Sequence, residues 1–321
     1  MRMMAYNKQE NIFYSDFDRD FLRQRLADKD LLFWVDIFTP TPEHMTILKD
    51  VFNFHSLAIE DATSKIERPK IDEYDTYIYM VLQVPLKVNQ TKKLENGVVS
   101  IFLGKNFIVT VHEINFTPIK KIFNSFVENK KISSKDSGDL LHKLIDTLMD
   151  YCLPIADEIY KSISVLEDKV LDSLDKNSIA DILILKRNTL LCKNILKPEI
   201  VLLRKLEQTD LKYISDEMEV YFGDIVDHAE KVSDILGTCL ELIESLYQSY
   251  QSLMSNKIND VMRILTTISV IIMPLTLISG IYGMNINLPF QTSEYAFIIV
   301  IEAMLFISLV MLIFFRKKDW I

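Results

Sequence analysis

The chain lacks most of the patterns that carry enzyme chemistry. Across its 321 residues there is no GxGxxG, P-loop, HExxH or GxSxG. The glycine-lined phosphate cradle, the zinc-binding helix and the nucleophile elbow are therefore all missing, and with them the main grounds for expecting an enzyme or an organic cofactor. Cysteine is scarce: Cys152, Cys192 and Cys239 stand far apart in the chain, with no CxxC pair. That excludes a disulfide framework and a thiolate zinc cluster and fits a reducing cytosol. The five histidines are equally scattered and read as surface or satisfied core residues. Positive charge is in deficit, with 36 Lys and Arg against 45 Asp and Glu and a net charge of −9. No basic stripe occurs outside the last residues, so a nucleic-acid partner is excluded. The opening "MRMMAYNKQE" has no apolar signal segment, so a soluble domain ahead of any membrane part is expected to stay inside the cell.

What the chain does have is apolar sequence, 49% of the residues, arranged in three styles. Residues 1–132 mix short elements and read as an α/β domain. "LLFWVDIF" (31–38) and "TYIYMVLQV" (76–84) are aromatic and β-branched, as strands are. "GVVSIFL" (97–103), a GKN turn and "FIVTVHE" (107–113) spell a β-hairpin. Thr41-Pro42 and Thr117-Pro118 each set a cap residue before a proline at the first helical position. Residues 133–260 turn helical. One long helix is expected over 139–174 and a second over 178–208. A third, of unusual length, is expected from Asp216 to Tyr282 if it is continuous. In the third, Ile235, Cys239, Leu242, Leu246, Leu253 and Ile258 recur at spacings of about three to seven, as on a stalk packed against neighbouring helices.

Residues 261–321 form a membrane part. Ile264–Tyr282 is free of charge throughout, and Tyr295–Phe315 holds only Glu302. Each is close to the ~20 residues that cross a bilayer core. Lys257 and Arg263 precede the first span, Arg316, Lys317 and Lys318 follow the second, and the loop 283–294 has no Lys or Arg. Both termini are therefore expected in the cytoplasm, with the loop outside. Asn259, Met262, Thr266, Ser269, Met273, Thr276, Gly280 and Gly283 recur every three or four residues, one stripe of small, polar or thioether residues. Such a stripe suits a helix-packing face or the wall of a water-filled path. One span cannot enclose such a path, so the second reading requires symmetric copies of the chain. The loop, with two Asn and a Gln, suits a hydrated cation such as Mg2+, which gives up its waters reluctantly. Gly283 lets backbone approach closely, and Pro274 frees a carbonyl within the span.

"YGMN" (282–285), directly after the first of two C-terminal spans, resembles the signature of the CorA family of divalent-cation transporters. The likeness continues through "SNKINDVMRILTTISVIIMPLTLISGIYGMN" (255–285) and the tail "FFRKKDWI". It implies a cytosolic α/β domain, long stalk helices and two transmembrane helices in a homopentamer of the inner membrane, with the first span of each subunit around one pore. It implies that Gly283, Met284 and Asn285 receive and select the ion. Gly280, Thr276, Met273, Ser269, Leu265, Met262 and Asn259 then line the path inward, with Met262 and Leu265 as a hydrophobic constriction. The family's cytosolic domain also binds Mg2+ between subunits to favour closure. Asp224, in "YFGDIVDH", falls where one acidic ligand is expected, with Asp72, Glu73 and Asp75 as candidate partners. Mg2+ is thus both cargo, with Co2+ or Ni2+ as further cargoes, and regulator.

Two features depart from the family pattern. In the loop after the signature, "INLPFQTSE", only Glu294 is acidic, which weakens the cation-concentrating field at the mouth. Glu302, inside the second span, must face a helix, a polar partner or water, or hold a proton. The rival functions are a zinc transporter of the ZntB type, which the intact Gly-Met-Asn argues against, and a membrane-anchored sensor that conducts nothing.

Overall fold

A computed structural model describes every residue apart from 16, 65–67, 88–92, 173–175, 209–210, 287–294, 319 and 321. The chain forms two compact units, Met1–Leu246 and Tyr247–Ile321.

The first unit is built on a sheet. Its strands are β1 (Arg2–Asn7), β2 (Ile12–Ser15), β3 (Leu31–Phe38), β4 (Lys70–Glu73), β5 (Tyr77–Lys87), β6 (Leu94–Gly104) and β7 (Phe107–His112). They lie in the order β2-β1-β3-β7-β6-β5-β4, with β3 and β7 parallel and every other neighbouring pair antiparallel. All of β3 except Phe38 is buried, because helices cover both faces of the sheet. Phe33, Val35 and Ile37 share a core with Leu48, Phe52 and Phe54 from α2 (Pro42–Asp50) and the segment before α3 (Ser56–Ala62). The short α1 (Arg19–Arg25) adds Leu22 to it. On the other face Trp34 lies edge-on to Phe123 and Phe126 of α4 (Thr117–Asn129), with ring centroids 5.2 and 6.1 Å away.

The predicted strands 31–38 and 76–84 and the 97–113 hairpin are present. β1, β2 and β4 were not foreseen: "RMMAYN" is methionine-rich rather than β-branched, and β2 and β4 are very short. Thr41 caps α2 with Pro42 first, as expected. Thr117 instead lies inside α4, and Phe116 holds the cap position. The expected single helix over 139–174 divides into α5 (Ser137–Asp150) and α6 (Cys152–Asp172). Pro154 has no N–H for the Asp150 carbonyl, so the helical ladder fails there. The next helix, α7 (Lys176–Gln208), accommodates Pro198.

Asp216–Met218 is a 3-10 turn, and α8 then runs unbroken from Glu219 to Tyr282, 64 residues. Its buried seam up to Leu246 is Phe222, Ile225, Ala229, Val232, Leu236, Cys239, Ile243 and Leu246. Of the series foreseen, Cys239 and Leu246 are buried, while Leu242 and Ile258 are exposed and Ile235 and Leu253 are half-buried. This sequence is apolar on two adjoining faces, and spacing alone does not choose between them. The second unit also holds α9 (Ala296–Lys317).

The buried face of β3 and β7 contains one charged network. The Asp36 carboxylate, fully buried, accepts from Arg2 Nε at 3.1 Å, Thr110 Oγ1 at 2.6 Å and His112 Nε2 at 3.0 Å. Trp34 Nε1 donates to Thr110 Oγ1 at 3.1 Å. Burial works to raise the Asp36 pKa, but His112, Thr110 and Arg2 together outweigh it and hold it below the ordinary value. The stability Asp36 supplies is therefore present above that ordinary range and lost as pH falls through the depressed value. Asp36→Ala leaves Arg2 and His112 without their counter-charge and should destabilise the first unit by about 3–5 kcal/mol. Amide-exchange protection of β3 and β7 in the full chain checks this; unchanged protection would mean the network is dispensable.

Candidate ion pathway and acidic cluster

Two stretches of the chain, within α8 and in α9, are long and apolar enough to cross a membrane. Only 6% and 0% of them are buried by the protein itself. A core helix of a soluble protein would be covered, so these surfaces require another apolar medium or further copies of the chain.

Along α8 the stripe residues recur on continuous helix, in a stretch that is exposed on most sides. Asn259, Met262, Thr266, Ser269, Met273, Thr276 and Gly280 are all exposed, and Leu265 beside them is too. Thr267, on a different side of the helix, is buried. Ser269, Met273, Thr276, Gly280 and Met284 line one shallow groove with Ile268 and Ile272. Two hydroxyls on this face are satisfied by their own helix: Ser269 Oγ donates to the Leu265 carbonyl at 2.9 Å and Thr276 Oγ1 to that of Ile272 at 3.0 Å. Each proton is thus committed inward, and the oxygen lone pairs remain available as acceptors. A β-carbon at Gly280 would meet nothing within 4 Å, so this position widens the face rather than relieving a contact.

The signature residues close the helix. Gly283 N–H donates to the Ser279 carbonyl at 2.9 Å, and Met284 N–H to that of Ile281 at 3.1 Å, tightening the last turn. A β-carbon at Gly283 would sit 3.0 Å from the Ser279 oxygen, and the backbone φ is not positive there. A side chain there would crowd the helix's own carbonyl. Asn285 follows, exposed. Asn287, Gln291 and Glu294 of the predicted mouth lie outside the described residues. Glu302 is exposed on α9.

Asp224 stands on α8 within the first unit and is not alone. His228, one turn on, places Nε2 3.9 Å from Asp224 Oδ1 and Nδ1 4.0 Å from Asp150 Oδ1 of α5. Ligand atoms of Asp146, Asp150 and His228 lie within 4.8 Å of one another. Burial, then the charge of Asp150, raises the Asp146 pKa; His142 and His228 oppose this, and Asp224 adds to it. A cation here would relieve that mutual repulsion. The carboxylates suit Mg2+, directly or through its waters, whereas the imidazole favours a transition metal. Sequence reasoning passed over Asp146, Asp150 and His228. The signal available was one-turn spacing, repeated in two separate helices. Of the partners foreseen, Asp72 is held by Lys70 at 3.2 Å, Asp75 gives its carbonyl to Lys212 Nζ at 2.8 Å, and Glu73 ends β4 exposed.

Comparison with known proteins adds a second line. The family model described as "CorA-like Mg2+ transporter protein" matches residues 29–317. The chain is 32% identical over 278 residues to the cobalt/magnesium transport protein CorA of Thermotoga maritima, covering 85% of this chain and 78% of that one. It is 31% identical over 299 residues to the putative metal ion transporter YfjQ of Bacillus subtilis, covering 92% of each. The solved CorA magnesium transporter of Methanocaldococcus jannaschii shares the fold, with a TM-score of 0.87 at 22% identity over 100% of this chain and 99% of that one. A sheet-based unit, an unbroken helix ending in Gly-Met-Asn and a family match over residues 29–317 agree: the chain belongs to the CorA-like Mg2+ transporter family, a family of divalent-cation transporters.

Proposed function

We propose that copies of this chain assemble as a homopentamer in the cell membrane, with both termini in the cytoplasm, and admit hydrated Mg2+ through one central pore lined by α8. Co2+ and Ni2+ are further cargoes, and cytosolic Mg2+ favours closure. The observation that carries this reading is the exposed face of α8. Its Ser269 and Thr276 hydroxyls need no partner helix, and it leads to Asn285 just past the helix end. Five such faces around an axis give a path with hydroxyl and amide acceptors and no fixed charge. Asn285 oxygens accept hydrogen bonds from the ion's waters without stripping them. Gly280, Thr276, Met273 and Ser269 pass the ion on, and Leu265, Met262 and Asn259 complete the path, with Leu265 and Met262 as a constriction that gates by dewetting.

Closure is assigned to the acidic cluster. Carboxylates of Asp224, Asp146 and Asp150 repel one another, and bound Mg2+ offsets that repulsion. The ion must bind the closed arrangement more tightly than the open one, or it shifts nothing. Its loss when cytosolic Mg2+ falls then favours opening.

Side-by-side flux of Mg2+, Co2+, Ni2+ and Zn2+ into proteoliposomes tests the whole reading; Zn2+ flux alone would favour the ZntB type, and no flux the sensor. Asn285→Ala removes only second-sphere hydrogen bonds and should cut Mg2+ uptake by about tenfold or more, a loss of at least about 1.4 kcal/mol, with the oligomer intact. Near-normal uptake would overturn the role of Asn285.

Leu265→Asp places a ring of carboxylates where the path is apolar. It should leak at internal Mg2+ concentrations that close the wild type, read as residual flux. Loss of expression or assembly instead would put Leu265 against lipid.

Asp224→Lys exchanges repulsion for attraction. The cytosolic unit should then resist protease in chelator as the wild type does in Mg2+. A time course in which both proteins show the same Mg2+-dependent protection would move the sensor elsewhere.

A further inference from the structure

We propose that Glu199 is a proton-operated latch, fastening α7 to the β5–β6 hairpin while protonated and releasing it as the pH rises. None of its residues belongs to the pathway or to the acidic cluster. It rests on how one carboxyl is buried.

β4 pairs with β5 only as far as Val81, so β5 continues from Leu82 without a described strand on that side. α7 takes over there. The Gln83 backbone N–H donates to Glu199 Oε1, and the Leu94 N–H at the start of β6 donates to Asn188 Oδ1 at 3.0 Å. Asn188 and Glu199 lie about three helical turns apart and so share a face of α7. Side chains of one helix thus satisfy two strand amides that no described strand reaches. Asn188 cannot titrate; Glu199 can.

Glu199 is fully buried, at 0% exposure, a state glutamate rarely adopts unless paired. Here the pairing is half complete. Oε2 is buried with no hydrogen-bond partner, and no cation faces the group among the described residues. Its titratable neighbour is Cys152 on α6, itself near Cys192 on α7. Burial pushes both thiols up, Cys192 to about 12, so neither supplies or removes charge near neutrality. An ionised Glu199 would lack the compensation that buried carboxylates require. Burial accordingly raises its pKa from 4.5 to about 8, against the opposing pull of the Gln83 N–H. Pro198, immediately before it, removes one rung of the helical ladder at the point where α7 would have to move.

The sign of the pH effect follows. A released Glu199 loses its proton near 4.5, and a docked one near 8. Docking is unweakened below the first value, weakens as pH rises between them, and is weakest above the second. Across most of that window the opening equilibrium should rise by about tenfold per pH unit.

Hydrogen exchange on the full-length protein in detergent tests this at the peptides carrying Gln83 and Leu94. After correction for base catalysis of exchange itself, opening in the wild type should rise by about tenfold per unit between about pH 6 and pH 8. Glu199→Gln keeps the acceptor oxygen and cannot ionise, so its opening should stay flat within about twofold. Equal slopes in both proteins, or no slope in the wild type, would overturn the latch. Should the variant fail to fold, infrared titration decides on a chain that retains Glu199. In a Glu302→Gln background, which silences the carboxyl in α9, a protonated-carboxyl stretch should vanish near pH 8. Its absence throughout pH 6–9 would equally overturn the proposal.

Discussion

A backbone amide without a partner is costly wherever water cannot reach it, and that constraint shapes both units of this chain. In hydrocarbon it permits only structures that satisfy themselves, which for α8 and α9 means uninterrupted helix. The same rule extends to side chains: Ser269, Thr276 and Ser308 each return their hydroxyl proton to a carbonyl one turn back. In the first unit the rule acts at sheet edges. β5 outruns β4, and β6 outruns its pairing with β7, which covers only Ser100–Leu103. The Gln83 and Leu94 amides beyond those pairings are met by α7. One electrostatic requirement thus makes the candidate membrane helices plain and the helix–sheet contact of the first unit specific.

How much of this was legible in the sequence depended on the range of the physics involved. β3, β5 and the β6–β7 hairpin could be read because buried strands concentrate aromatic and β-branched residues in a run. β1, β2 and β4 are held by register with longer neighbours rather than by their own composition. Proline marked the start of α2 correctly, yet Pro154 divided a helix that periodicity alone had joined. The stripe on α8 was legible for the opposite reason: a helix converts spacing of three and four directly into a face, with no tertiary information needed. The acidic cluster was not. Asp150 and His228 are distant in sequence and meet only because α5 and α8 do. Glu199 was invisible for a subtler reason, since nothing in a helical run distinguishes a buried glutamate from the solvated ones around it.

Three buried or half-buried acidic sites in the first unit solve the same problem in different ways. Asp36 is surrounded by donors, two of them cationic or able to be, and its charge is stabilised below the ordinary carboxylate range. Asp146 is half-buried and then faces Asp150, so its charge is destabilised first by burial and next by a carboxylate, the second of which a mobile cation could relieve. Among the described residues Glu199 meets a single amide and no cation, so a proton is the simplest relief available. The number and sign of neighbours decides whether a carboxylate is structural, metal-seeking or proton-seeking; depth of burial alone does not.

That distinction bears on the pathway. A carboxylate ring in the constriction would attract divalent cations strongly, but an ion held tightly leaves slowly. The path proposed along α8 has no fixed charge from Ile264 to Asn285. Its acceptors are amide oxygens and the Ser269 and Thr276 hydroxyls, whose protons are committed to the helix, so they can take hydrogen bonds from an ion's water shell while competing poorly for the ion itself. The function proposed above separates the two tasks: neutral oxygens on α8 would handle passage, where weak and repeated contacts favour speed. Acidic groups on α5 and α8 would handle sensing, where tight and state-dependent binding is what shifts an equilibrium.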